Sequence, residues 1–161
     1  MYSYLDQAPV QAVDIHEGLD NTIMILKSKL QNGISVRREY APDLPVIQGY
    51  GSELNQVWAN LLDNAADALD GKGEITIRTR SGEQDSVFVE VEDNGPGIPP
   101  EIQSKVFESF FTTKPPGKST GLGLDISYNI VVSKHRGDMK LYSESGSTRF
   151  EVRLPVNFEA K

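Results

Sequence analysis

Between positions 93 and 123 the chain concentrates ten of its 23 glycines and prolines (Gly95, Pro96, Gly97, Pro99, Pro100, Pro115, Pro116, Gly117, Gly121 and Gly123). Such a stretch cannot be a continuous helix or strand, because glycine weakens and proline breaks both. Any fold must therefore be built from the flanks and must carry a long irregular connection through its middle. Connections of that length inside a compact domain serve function more often than not.

The flanks are legible by period. Ile15, Leu19, Ile23, Leu26 and Leu30 recur at helical spacing, which predicts one amphipathic helix over 14–30. Residues 35–40 read as a short strand ended by the Pro42 to Pro45 turn. A second helix is expected from Glu53 to about Asp70, with Ser52 as N-cap and Gly71 as its stop. Alternation predicts strands over 74–80 and 86–92, joined through Ser81-Gly82-Glu83. Pro100 to Phe107 reads as a short helix and Gly121 to about Ser133 as a longer one. Strands over 138–143 and 149–155 close the chain. Helices alternating with antiparallel pairs imply an α+β two-layer sandwich: a mixed, mostly antiparallel sheet with helices on one face.

Composition narrows the chemistry. The 161 residues suit one domain with a real core. Sixteen Lys and Arg against 23 Asp and Glu leave a net charge of −7, which argues against an extended nucleic-acid binder. The absence of cysteine excludes disulfides, thiolate zinc sites and cysteine nucleophiles, and two histidines disfavour an all-protein transition-metal site. Magnesium held by oxygens stays open. No apolar run approaches the ~18 residues of a membrane span, and the first residues lack a signal-peptide pattern. A cytoplasmic location without membrane contact is the expectation.

Three elements carry chemistry. Asn60, Asn64 and Asp67 recur at i, i+4 and i+7 on the second helix, opposite the apolar stripe Leu54, Val57, Leu61, Ala65 and Leu69. An amide there can offer oxygen to a divalent cation or nitrogen to a phosphate, although a polar helix face is usually just solvated. Asp93-Asn-Gly95-Pro-Gly97-Ile-Pro follows a strand. An acid at a strand end can accept a hydrogen bond from an exocyclic amine, although Asp and Asn also suit a plain turn. Lys114, Lys118 and Gly121-Leu122-Gly123 enter a helix, where converging N–H groups and lysine charge can hold an anion. This is not a Walker A loop, since no Gly-Lys-Ser/Thr opens the helix in register.

Taken in order, these elements resemble the ATP-binding (Bergerat, or GHKL) fold shared by gyrase, a heat-shock chaperone, histidine kinases and MutL. They are most similar to the catalytic domain of bacterial sensor histidine kinases. Asn60-Leu-Leu-Asp-Asn64-Ala-Ala resembles the N box, Asp93 to Pro99 the first G box, Phe107 to Lys114 the F box and Gly121-Leu-Gly-Leu the second G box. The resemblance implies ATP with Mg2+. Asn64 would give an oxygen to the metal, with Asn60 assisting at the phosphates. Asp93 would accept from the adenine amino group, Gly95 and Gly97 would let the backbone pass close, and Thr148 would help hold adenine. Residues 108–120 would form the ATP lid. Residues 14–157 would be the catalytic domain, 1–13 an extension left from the linker to a phosphoacceptor hairpin, and 158–161 a tail.

The implied activity is transfer of the ATP γ-phosphoryl group to a histidine on a separate dimerisation domain, with a response regulator served indirectly. The chain itself is expected to be monomeric and unable to phosphorylate itself. Two departures matter. Where ATPases of the superfamily carry a general-base glutamate, this chain has Asn60, which implies slow hydrolysis. Where many histidine kinases carry Lys, Arg or Tyr three residues after the metal-binding Asn, it has Asp67, which moves the expected γ-phosphate contact to Lys114 or Lys118. Rival readings are an anti-sigma-type serine kinase, separable by an acid-stable product phosphate, and a nucleotide-gated interaction module without transfer. His16-Glu17 mimics an acceptor motif, but His16-Glu-Gly-Leu lacks the basic residue and Pro-Leu bend that would follow. His16 therefore reads as an ordinary helix residue. His135 reads as a helix C-terminal cap favoured by the dipole, and Trp58 as core.

Overall fold

The computed structural model describes residues 10–30, 33–108 and 123–158. Its first elements are β1 (Gln11–Val13), α1 (Ile15–Ile25), α2 (Lys27–Leu30), β2 (Ile34–Glu39), β3 (Ile47–Gly49) and α3 (Gly51–Leu69). They continue with β4 (Gly73–Gly82), β5 (Ser86–Asp93), α4 (Pro100–Gln103), α5 (Gly123–Tyr128), β6 (Asp138–Glu144) and β7 (Ser147–Pro155). After Tyr128 the fifth helix runs on as a π-helical segment, Asn129–Lys134.

The main sheet has the order β2-β4-β5-β7-β6, parallel only at β2–β4. A parallel pair needs a crossover, and α3 lies within it. The pleat sorts the side chains. Ile75 and Ile77 of β4, Val87, Val89 and Val91 of β5, and Phe150, Val152 and Leu154 of β7 are buried toward the helices. Against them α3 sets Leu54, Val57, Trp58, Leu61, Leu62, Ala65, Ala66 and Leu69. The expected two-layer sandwich is the observed one.

The opposite face of the sheet carries charge. Glu90 is 7 % exposed, with the Arg80 guanidinium at 2.7 Å and that of Arg149 at 3.3 Å. Arg80 also lies 4.1 Å above the Phe88 ring and Arg149 4.3 Å above that of Tyr142. Arginine covers the aromatic surface with its plane while its edge pairs with carboxylates, so this face needs no second helical layer.

Several expected boundaries shift. The helix read over 14–30 is two, α1 and α2, with Leu26 between them. Asp14 caps α1 by accepting from the Glu17 N–H at 3.1 Å. Near its end Thr22 donates back to the Gly18 carbonyl at 2.8 Å, a bond that tends to bend helices. Ser52 is not an N-cap, because α3 starts at Gly51 and its N-cap, Tyr50, makes no side-chain cap bond. The helix stops at Asp70, in the left-handed region at φ 51°, one residue before the expected Gly71; Asp tolerates this conformation. Strands β1 and β3, paired antiparallel over Gln11–Val13 and Ile47–Gly49, have no signature in the sequence. At three residues each they are too short to show alternation. Turns instead of helix occupy 104–108, where Lys105 and Glu108 N–H groups bond three residues back.

Candidate functional site

Asp93 and Thr148 continue the ladder that pairs Val91 with Phe150, two residues on along β5 and two residues back along β7. Because side chains alternate, both point to the helix side, where the ladder ends beneath the last turn of α3. Each is 4 % exposed. Asp93 Oδ1 accepts the Gly95 N–H at 2.9 Å, while no hydrogen bond among the described residues engages Oδ2. Burial pushes the carboxyl up to about 6, the Gly95 N–H opposing and the Glu92 charge adding to the shift. Among the described residues one oxygen of this buried acid is satisfied and the other is not, so it can accept a further donor.

The loop after Asp93 is tied to the β6–β7 hairpin. The Ile98 N–H donates to Ser143 Oγ at 2.8 Å, Ser143 Oγ lies 2.9 Å from Thr148 Oγ1, and Gln103 Nε2 donates to the Ile98 carbonyl at 2.7 Å. Both glycines are required. A Cβ on Gly97, at φ +90°, would lie 2.2 Å from the Glu144 carbonyl oxygen. One on Gly95 would meet Asp93 Oδ1 at 2.9 Å and the Ala68 carbonyl of α3 at 3.1 Å. The first G-box glycines thus let the loop pass between α3 and the hairpin. Ser143 and Gln103 were missed in the sequence, where neither stands in a motif; only their distances to Ile98 and Thr148 reveal them.

At the other end of the site, Asn60 Nδ2 donates to the Gly123 carbonyl and to Ser127 Oγ, both at 3.0 Å. Both of its N–H groups fasten α3 to the first turn of α5, so Asn60 here positions the start of that helix. Asn64 lies one turn on, half-buried, and no hydrogen bond among the described residues engages its amide. Asp67 pairs at 2.6 Å with Lys29 of α2, which also hydrogen-bonds Asp63. Burial would lower the Lys29 pKa, but its hydrogen bonds to the two carboxylates outweigh that and raise it.

Other expected residues separate cleanly. Lys114, Lys118, Gly121 and Leu122 lie outside the described residues, as do Phe110 and most of the 108–120 segment. Phe107 packs on Phe150 and Tyr128, with ring centroids 6.1 and 5.1 Å apart, and Trp58 is fully buried. His16 stacks on Tyr40 at 4.1 Å and its Nε2 meets Thr79 Oγ1 at 2.8 Å, as suits a packed helix residue. His135 is the expected C-cap, its N–H bonding the Ile130 carbonyl, but it is not the dipole-stabilised cation that its neighbours suggested. It is 1 % exposed, burial lowers its pKa, and its neutral ring donates from Nδ1 to the Ile130 carbonyl while Nε2 accepts the Tyr50 N–H at 3.0 Å.

A helix-backed sheet, an open carboxylate at the end of a central strand, a glycine loop beside it and paired asparagines on the covering helix define one class of domain. The chain belongs to the histidine kinase-, DNA gyrase B- and HSP90-like ATPase family, whose model matches residues 49–157. Within it, the chain is 35% identical over 154 residues to the sensory histidine kinase/phosphatase NtrB of Vibrio alginolyticus, covering 89% of this chain and 43% of that protein. It therefore spans less than half the length of that relative. The nucleotide-free catalytic domain of histidine kinase ThkA superposes with a TM-score of 0.85 at 27% identity, covering 94% of this chain and 99% of that one. ThkA in complex with its response regulator protein TrrA matches at a TM-score of 0.80 and 25% identity, over 94% of this chain and 43% of that one. Among the described residues no helix is long and apolar enough to cross a membrane.

Proposed function

We propose that this chain is the ATP-binding catalytic unit of a sensor histidine kinase. Its reaction is transfer of the γ-phosphoryl group of Mg-ATP to a histidine ring nitrogen on a phosphoacceptor domain. The observation that carries this is Asp93: buried, holding the Gly95 N–H at 2.9 Å on one oxygen, with its second oxygen open among the described residues. Adenine offers an amine donor to that oxygen, and a guanine carbonyl at the same place would be repelled. Thr148, its ladder partner, contributes a hydroxyl on the same inner face.

Asn64 is the residue that would hold Mg2+. A single amide oxygen suits this ion, which keeps waters and phosphate oxygens as its other ligands. When bound, the metal neutralises polyphosphate charge. Asn60 holds the start of α5 against α3 through Gly123 and Ser127. Lys114 or Lys118 is the residue expected at the γ-phosphate. In the step itself the imidazole nitrogen attacks in line, the N–P bond forms, the bond from Pγ to the β–γ bridging oxygen breaks, and ADP leaves. Such a transfer needs positioning and charge neutralisation more than covalent help, and an asparagine at position 60 supplies no base for water. The supporting relatives are NtrB and ThkA, and the ThkA–TrrA complex supports a response regulator as downstream partner.

Calorimetric titration tests the reading. ATP is expected to bind at micromolar to sub-millimolar Kd, more tightly with Mg2+, and Asn64→Ala to lose the Mg2+ effect while still binding adenosine. With ATP alone the chain is expected to gain no acid-labile phosphate. No ATP binding by the folded chain, or an acid-stable phosphoserine on a partner, overturns it.

A further inference from the structure

Asp93, Thr148 and Ser143 are paired in one row across β5, β7 and β6, so all three side chains lie on the helix side of the sheet. Directly paired residues keep their Cβ atoms about 4.5–5.5 Å apart. A serine hydroxyl has one hydrogen to give and two lone pairs to receive. Ser143 Oγ has three partners: the Ile98 N–H at 2.8 Å, the Ser147 carbonyl oxygen at 3.2 Å and Thr148 Oγ1 at 2.9 Å. The amide can only donate to it, and the carbonyl can only accept from it. The single hydrogen of Ser143 is thus committed to Ser147, and Thr148 must be the donor in the third bond. With its hydrogen turned toward Ser143, Thr148 Oγ1 offers only lone pairs to the space it shares with Asp93.

We propose that Ser143 is a positioning residue that sets base specificity: by taking the Thr148 hydrogen it makes Thr148 a second acceptor beside Asp93, so the base must bring an amine. The inference rests on the nucleotide reading above. A 6-amino purine has hydrogens for such a pair of acceptors. A 6-oxo purine would set its carbonyl oxygen against their lone pairs. Ser143 acts through Thr148 and not by contact with the base. The same oxygen also fastens the glycine loop through the Ile98 N–H, so its removal can loosen that loop. A loosened loop weakens every nucleotide alike, whereas a freed Thr148 hydroxyl changes the ratio between bases.

The test is calorimetric titration with Mg-ATP and Mg-ITP, whose bases carry an amine and a carbonyl at position 6. Ser143→Ala is expected to narrow the wild-type preference for ATP about fivefold, since the released Thr148 hydroxyl can turn and donate to the carbonyl. Ser143→Thr keeps a hydroxyl and should keep the wild-type preference. In a Thr148→Val background, Ser143→Ala should leave the preference unchanged. Equal losses for the two nucleotides in Ser143→Ala would mean a structural role and overturn the proposal. So would a preference that still shifts in the Thr148→Val background, or a wild type that binds ITP as tightly as ATP. If folded wild-type protein binds neither nucleotide, the nucleotide reading fails first and this inference falls with it.

Discussion

Asp93→Asn is expected to stabilise the empty protein while abolishing nucleotide binding. The folded carboxyl titrates at about 6, against 3.8 for an unperturbed aspartate. Between those values the folded state keeps a proton that the unfolded chain has released, so stability falls as pH rises through this window. The difference of roughly 2 pK units corresponds to about 3 kcal/mol at neutral pH, an upper bound for what the buried charge costs. Asparagine removes the charge and keeps a carbonyl for the Gly95 N–H, so about 1–3 kcal/mol should be recovered, or roughly 3–10 °C in Tm for a domain of this size. Thermal and urea unfolding of both proteins, monitored by circular dichroism from pH 4 to pH 8, gives the readout. The variant's advantage should be near zero at pH 4, grow through pH 5–6 and level off above pH 7. Its adenosine affinity should collapse, because the amide nitrogen would face the adenine amine donor to donor. A variant no more stable than wild type at pH 7.5, or an advantage independent of pH, would refute the argument from a buried, uncompensated charge.

His135 gives the opposite slope. Its lowered pKa means that below about pH 6.5 the unfolded chain binds a proton that the folded ring refuses, so its contribution to stability falls as pH drops. His135→Ala should cost about 2–4 kcal/mol at pH 8, through the cavity and the unpaired Tyr50 N–H, and less at pH 5.5; a pH-independent gap in urea melts would contradict this. Gly97→Ala should destabilise by about 2 kcal/mol or more, since its Cβ would lie 2.2 Å from a backbone oxygen at φ +90°, and calorimetry should also record weaker ATP binding.

Much of the fold shows in the sequence because it follows period. The stripe from Leu54 to Leu69 and the alternation of β4, β5 and β7 are dictated by which side chains must be buried, and the structure buries them. What escaped has no period. β1 and β3 are held by long-range pairing, and the break at Leu26 falls where the apolar spacing from Ile15 to Leu30 stays helical. Of the site, Asp93, Gly95 and Gly97 were legible because glycine spacing after a strand is chemically unusual. Ser143 and Gln103 were not, since an ordinary serine at a strand end becomes part of the site only through a loop 45 residues away.

The contrast within β5 supports the proposed role of Asp93 as the acceptor for a ligand. Glu92 and Asp93 are adjacent carboxylates facing opposite sides of one strand. Glu92 receives the Arg78 guanidinium and the Ser147 hydroxyl, at 2.9 Å for the latter, and these hold it below the usual glutamate range. Glu90, two residues earlier on that outer face, has three arginines within 4 Å. Asp93 receives one backbone N–H and no cation among the described residues, and it titrates high. A sheet that supplies arginine to every outward acid on this strand has the means to neutralise the inward one. Leaving it unpaired lowers stability, and an unmet acceptor at the end of a buried ladder is useful only if a donor from outside completes it.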